Sequence, residues 1–373
     1  LCAQELYSRD LAYPLLVGGA AINPSFVRQA TFVGEERDTM YPAGMFYCKD
    51  AFAGLATMDA LSDREGREAF IQNRHAEVRE GISRRAELQE KAAKLRPTSA
   101  RSGPSADVEV PKPGFWGVKV LERIPLGELF PLIDLNTLYR LHWGAKNAKG
   151  EEWEELVTGQ FEPRLERYQQ EALAGGWVQP TAAYGFFPAG SADDAVVLFD
   201  PTDPGRELAR FDFPRQEARD RLCLADYFRP FDTGGSDVVD GGGRVDAGGR
   251  DVIALQIVTV GDDLLERSSR LMEGGDYSEG YYLHGFGVRL AEAGAEYLHR
   301  RVREELGIEP GRGLRYSWGY GACPDHRQHR IVFDLLPARE RLGMELTEAG
   351  ALVPEISTAA LVVHHPEARY FSA

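Results

Sequence analysis

The stretch from residue 63 to residue 114 constrains this chain most. Residues 64–95 combine good helix formers with many charges and little glycine, and so read as one long charged helix. The segment 96–114 opens Arg-Pro-Thr-Ser-Ala-Arg-Ser-Gly-Pro-Ser and carries further prolines at 111 and 113, the composition of a linker. The chain is therefore expected to fold as a small piece, 1–62, and a large piece, 115–373, with 63–114 between them. The charged helix is read as a solvated connector rather than a partner-binding helix.

The small piece alternates. Residues 1–13 read as the end of a helix. Pro14-Leu15-Leu16-Val17 is a short apolar run that stops at Gly18-Gly19-Ala20-Ala21, as a buried parallel strand does at a tight turn. Asn23-Pro24-Ser25 opens a helix, with the proline suited to its first turn. Met45-Phe46-Tyr47-Cys48 is a second strand, and Ala51 begins another helix. Together these are the tail of an α/β domain.

The large piece mixes strands at 183–187, 195–199 and 251–260 with helices at 164–174, 264–272 and 285–307, which predicts an α+β fold. Residues 233–250 hold repeated glycines and no core-forming periodicity, and read as a mobile surface loop. No internal repeat is visible.

Composition excludes several classes. A formal net charge of −15 argues against a nucleic-acid partner, which would require a basic face. No apolar run approaches the roughly 20 residues of a membrane span. Cys2, Cys48, Cys223 and Cys323 are scattered without metal-ligand spacing, which fits a reducing cytoplasm and predicts no metal site. The chain starts at Leu1 without a secretion signal, and the expectation is that it is cut from something longer.

The most specific stretch is Arg315-Tyr316-Ser317-Trp318-Gly319-Tyr320-Gly321-Ala322-Cys323-Pro324-Asp325-His326. Glycines let a backbone approach a ligand closely, an arginine fork can grip a carboxylate, and aromatic faces attract a cationic or planar group. The segment reads as a loop for a small ligand bearing a carboxylate and a cation or flat ring. The alternative is an irregular loop packed on the core.

This stretch resembles the adenosylmethionine-binding loop of the cobalamin-dependent methionine synthase family. Ala291-Glu292-Ala293-Gly294-Ala295-Glu296-Tyr297-Leu298-His299, Tyr184-Gly185-Phe186-Phe187-Pro188-Ala189 and Cys223-Leu224-Ala225-Asp226-Tyr227 resemble further family segments. So do Gly343-Met344-Glu345-Leu346-Thr347-Glu348 and His365-Pro366-Glu367-Ala368-Arg369-Tyr370. The resemblance covers roughly 250 residues. It implies an activation domain with a twisted, mainly antiparallel sheet and flanking helices, preceded by part of a Rossmann-like cobalamin-binding domain.

The resemblance also implies roles. Arg315 would meet the carboxylate of S-adenosylmethionine (AdoMet). Asp134 and Glu292 would face its cationic groups, and Ser317, Tyr320, Tyr370 and Phe371 would complete the site. Taken without the family, Asp134 reads as a helix N-cap, Glu292 as an exposed helix position and Tyr370 as a core aromatic. His326 would lie near the lower face of a corrin, and Cys323 is expected to be structural. Gly18, Gly19 and Ala51 would flank the nucleotide tail of cobalamin, although a lone Gly-Gly is also a plain strand-to-helix turn.

The function implied is reactivation: AdoMet supplies a methyl group that traps reduced cobalt after an electron arrives from a flavodoxin-like donor. No side chain need act as acid or base, so no catalytic residue is expected; the protein's task is positioning. The chain departs from the family in lacking Asp-x-His-x-x-Gly, which supplies the lower cobalt ligand, so cobalamin binding is expected to be incomplete. It also lacks the folate and homocysteine regions with their zinc-binding cysteines, so it should not synthesise methionine by itself. Val353-Pro354-Glu355-Ile356-Ser357-Thr358 departs from the family pattern as well. Two rival readings are a docking module for a reductase or partner subunit without methyl transfer, and one half of a split methionine synthase.

Overall fold

The computed structural model describes residues 2–18, 24–34, 38–48, 51–94, 104, 108–203, 205–216, 220–231, 250–309 and 311–373, leaving aside the side chains of residues 25, 29, 51, 52 and 82–94. The chain divides into two compact units, Leu1–Ala100 and Arg101–Ala373.

In the first unit, helix α1 (Cys2–Ser8) leads to strand β1 (Leu15–Val17). Helix α2 (Pro24–Ala30) follows, with its proline in the first turn where no backbone donor is needed. Strands β2 (Phe32–Val33) and β3 (Thr39–Met40) form a small antiparallel pair, and β4 (Met45–Tyr47) returns parallel to β1 with Leu15 opposite Met45. The expected strand–helix–strand alternation is present. Ala3, Val33, Tyr41 and Ala43 form the core. The Tyr41 hydroxyl sits 2.9 Å and 2.8 Å from the carbonyls of Leu11 and Tyr13, tying the chain before β1 to the core.

Helices α3 (Ala51–Ser62) and α4 (Arg67–Lys94) close the unit. The expectation of a purely solvated charged helix is corrected at the start of α4. Val78 is fully buried, the Phe70 ring stacks on Phe46 at 5.3 Å, and the buried His75 Nε2 lies 3.1 Å from the Tyr41 carbonyl. A few apolar positions on a charged helix suffice to bury one stripe of it.

The second unit is built on a seven-stranded antiparallel sheet. Strand β5 (Gly117–Leu121) is followed by short helices α5 (Leu126–Leu129), α6 (Leu135–Thr137) and α7 (Gly150–Leu156), then by α8 (Glu162–Gly175), which ends on a left-handed Gly176. Next come β6 (Thr181–Ala192), β7 (Ala195–Phe199), β8 (Glu207–Asp212) and β9 (Asp251–Thr259). Helices α9 (Asp263–Glu273) and α10 (Tyr277–Leu306) lead to β10 (Leu314–Ser317). The chain continues through α11 (His329–Leu335), α12 (Ala338–Leu342), β11 (Glu345–Leu346), β12 (Leu352–Val353) and β13 (Ser357–Val363). The sheet order is β10-β13-β9-β6-β7-β8, and β5 pairs with the first part of β6.

The central strands separate two cores. Along β9, Val252, Ala254 and Val258 face a core shared with Phe286, Leu290 and Leu298 of α10. Ile253, Leu255 and Ile257 face the opposite core, with Phe211, Tyr316, Val332 and Phe333. A strand covered on both faces is a continuous apolar run, which is why β9 was visible in the sequence.

Two boundaries differ from expectation. β6 extends to 181–192, because it serves β5, β9 and β7 along its length. α10 begins at Tyr277 rather than at 285, with the Asp276 carboxylate accepting from the Glu279 amide at 3.3 Å as N-cap. The predicted loop at 233–250 lies outside the described residues except for Arg250, as does most of the linker at 96–107. Among the described residues, no helix is long and apolar enough to cross a membrane and no cluster of metal-binding side chains occurs.

Candidate functional site

β10 presents the site. It pairs antiparallel with β13, with Arg315 opposite Val362 and Ser317 opposite Ala360. Alternation turns Tyr316 into the second core while its neighbours face the other way. The Arg315 Nη2 donates to Glu292 Oε2 on α10 at 3.1 Å. Arg315 Nη1 is buried and has no hydrogen-bond partner among the described residues. A guanidinium N–H left in that state is costly unless a ligand completes it.

A tight loop follows. The Gly319 amide donates to the Cys323 carbonyl at 2.8 Å, and the Cys323 amide to the Tyr320 carbonyl at 2.9 Å. The buried Trp318 anchors the loop through its Nε1, which donates to Gln328 Oε1 at 3.1 Å. Tyr320 is left largely exposed. The segment 365–373 supplies the remaining wall: the Tyr316 hydroxyl donates to the Arg369 carbonyl at 2.8 Å, and the Tyr316 and Tyr370 rings lie 5.4 Å apart.

These elements enclose a cavity of about 330 Å³. Six predicted residues line it: Glu292, Arg315, Ser317, Tyr320, Tyr370 and Phe371. Tyr316, Gly321, Ala322 and Cys323 complete the lining, and sequence reasoning had not assigned them to the site. They fall within or beside the Arg315–His326 motif, so its contiguity was the signal available for them.

Asp134 is not part of the lining. Its carboxylate caps α6, accepting from the Thr137 amide at 3.1 Å and from the Thr137 hydroxyl, and these bonds hold its pKa below the usual carboxylate range. It also stands 3.9 Å from Arg289, three residues before Glu292 on α10. His326 is not part of the lining either; its ring occupies the space that a side chain at Gly319 would need, and its Nδ1 is buried with no partner among the described residues. Gly18 belongs to the first unit, where an added Cβ would stand 2.4 Å from the Cys48 carbonyl oxygen, so the end of β1 requires glycine for close approach. Ala51 opens α3, and Gly19 lies outside the described residues.

The cavity holds no nucleophile poised for chemistry. Burial pushes the Cys323 thiol up to about 12, and its sulfur lies 2.9 Å from the Ser317 carbonyl. Burial also raises the Tyr316 phenol. What the arrangement offers is a guanidinium with a free donor, a neighbouring carboxylate and aromatic faces. Such a set can hold a zwitterion that carries an additional cationic or planar group.

Residues 125–373 match the family described as "Vitamin B12 dependent methionine synthase, activation domain". The chain is 34% identical over 409 aligned positions to the methionine synthase of Mycobacterium tuberculosis (strain ATCC 25618 / H37Rv), covering 99% of this chain and 33% of that protein. Identity to the methionine synthase of Mycobacterium leprae (strain TN) is 34% over 414 positions, with the same coverage. The chain thus spans about a third of the length of these curated relatives. The crystal structure of the MetH reactivation domain bound to AdoHcy superposes with a TM-score of 0.60 at 24% identity, over 73% of this chain and 85% of that one.

Proposed function

Because this chain belongs to the vitamin B12-dependent methionine synthase activation-domain family, we propose that its second unit binds AdoMet and positions the methyl group for reductive reactivation of cobalamin. The observation that carries this reading is Arg315, with a buried unpartnered Nη1 beside Glu292 in a cavity walled by aromatic rings. The related structure that holds AdoHcy supports the choice of ligand.

In this reading Arg315 takes the ligand carboxylate through a charge-assisted fork. Glu292 stands against its positive charge, and Ser317 adds a polar contact. Tyr320, Tyr370 and Phe371 cover the ligand and exclude water. Asp134, which stands 3.9 Å from Arg289, contributes negative charge toward the ligand. None of these groups transfers a proton, so their contribution is orientation and electrostatic balance.

The domain assignment follows. Residues 1–62 form the end of the cobalamin-binding domain, 63–114 a helix and linker, and 115–373 the activation domain. By the family resemblance Gly18, Gly19 and Ala51 would hold the nucleotide tail of cobalamin, and His326 would contact the corrin. The sequence holds no Asp-x-His-x-x-Gly, so this chain does not supply the lower cobalt ligand. Cobalt chemistry, like the folate, homocysteine and zinc sites, then belongs to other parts of a cytoplasmic methyltransferase. A flavodoxin-like electron donor is its partner.

Calorimetric titration of the chain with AdoMet tests the proposal. Saturable binding is expected. No heat of binding at millimolar AdoMet would leave the docking-module reading in its place.

A further inference from the structure

Three walls of the cavity belong to regular structure or to a loop knotted by its own backbone bonds. The fourth, which carries Tyr370 and Phe371, comes from a segment with no helix or strand. An irregular segment keeps two aromatic side chains in a cavity only if something outside it fixes the backbone. The polar contacts of this segment identify what does so.

Gln216 Nε2 donates to the Ser372 carbonyl at 2.7 Å. Arg369 pairs with Asp220, and the Ala373 amide donates to the Gly321 carbonyl at 3.0 Å. Gly321 accommodates this contact because it lacks a side chain: an added Cβ would stand 2.3 Å from the Ser372 hydroxyl oxygen.

Gln216 is itself held. Its amide donates to the Leu222 carbonyl at 3.0 Å, and its Oε1 accepts from the Leu222 amide at 3.3 Å. Its neighbour Arg215 forms a two-pronged pair with the buried Asp226, at 2.6 Å and 2.9 Å. A paired, hydrogen-bonded buried charge makes a rigid anchor. The contacts therefore run from Asp226 through Arg215 and Gln216 to Ser372, and so to the wall of the cavity.

We propose that Gln216, with Asp220 in support, is a positioning residue of the ligand site: it clasps residues 369–372 onto the Gly321 loop so that Tyr370 and Phe371 stand in the cavity. The clasp rests on the AdoMet reading for its ligand, but not for its mechanics. Gln216 supplies the bond at the Ser372 end, as the Tyr316 hydroxyl does at Arg369, while the exposed Arg369–Asp220 pair contributes little.

The test uses the full chain and two readouts. Hydrogen exchange without ligand reports the clasp, and AdoMet titration reports its consequence. Gln216→Glu keeps the acceptor for Leu222 and removes the donor to Ser372. It is expected to accelerate exchange of peptides covering 366–373 while β9 stays protected. It should also weaken AdoMet binding by roughly three- to tenfold, the worth of one hydrogen bond. Gln216→Ala gives the same result without a new charge, should the glutamate disturb folding.

Added to the combined variant Tyr370→Ala and Phe371→Ala, Gln216→Glu should cause no further loss of affinity, because it acts through those two residues. Unchanged exchange at 366–373, a loosened segment with wild-type affinity, or losses that add would each overturn the proposal. If the unsubstituted chain takes up no AdoMet, the ligand reading falls and the exchange measurement alone decides the clasp.

Discussion

Arg315→Ala separates a ligand-holding arginine from a structural one. In the folded chain the Arg315 side chain retains 19% exposure and Glu292 34%, so their 3.1 Å pair is partly solvated. Pairs of this kind contribute about 0–1 kcal/mol net. The buried Nη1 without a partner works against the fold, so its removal offsets part of that loss. The substitution should therefore change unfolding free energy by about 1 kcal/mol or less, which for a unit of this size moves Tm by about 4 °C at most. Affinity should respond differently. A charge-assisted contact contributes about 1.5–3 kcal/mol, so AdoMet binding should weaken about ten- to a hundredfold. Arg315→Lys should recover only part, because an ammonium cannot reproduce the planar fork. Calorimetry and thermal unfolding on the same variants give both numbers. A fall in Tm with unchanged affinity would refute the assignment of this loop to the ligand.

Asp134→Asn preserves the cap on α6, since asparagine caps as well as aspartate; stability should stay within about 0.5 kcal/mol of wild type, while AdoMet affinity falls if the negative charge matters. Equal affinity in a titration would leave Asp134 as a cap alone. His329 is buried against Trp318, with Nδ1 2.8 Å from the Gly350 carbonyl, and burial lowers its pKa below 6.5. The unfolded chain then takes up this proton first, so stability should decline as pH falls below 6.5 toward the folded-state value. Urea unfolding at pH 7.5 and 5.5 should show a smaller decline for His329→Asn, and an identical decline would exclude this group as its source.

Legibility followed the physics of each element. β9 announced itself because both of its faces are covered. β8, Glu-Leu-Ala-Arg-Phe-Asp, did not, because an edge strand tolerates charge and shows no clean alternation. β13 begins Ser-Thr-Ala-Ala, residues too small to mark a strand although the two alanines are buried. The first two turns of α10 hold Ser278, Gly280 and three tyrosines, poor helix formers that tertiary contacts override. The site was legible where it is contiguous, along 315–323, and Glu292 and Tyr370 were reached only through the family resemblance. Gln216 gave no sign at all, because one polar side chain reaching another segment has no period and no motif.

The order of the sheet also sets when this protein can fold. β6 and β9 are apolar on both faces, yet β9 gains its second neighbour only when β13 exists, and among the described residues β10, which carries Arg315, has no other partner strand. About 100 residues separate the end of β9 from the end of β13. At ~5–20 residues per second, a ribosome leaves β9 without its second neighbour for about 5–20 s. During that time the sticky edge of β9 lies uncovered beside a half-built core, the condition in which nascent chains associate with one another. High contact order slows closure further once synthesis is complete. The demand this chain places on chaperones is therefore written into the position of β13, far from any residue that touches a ligand.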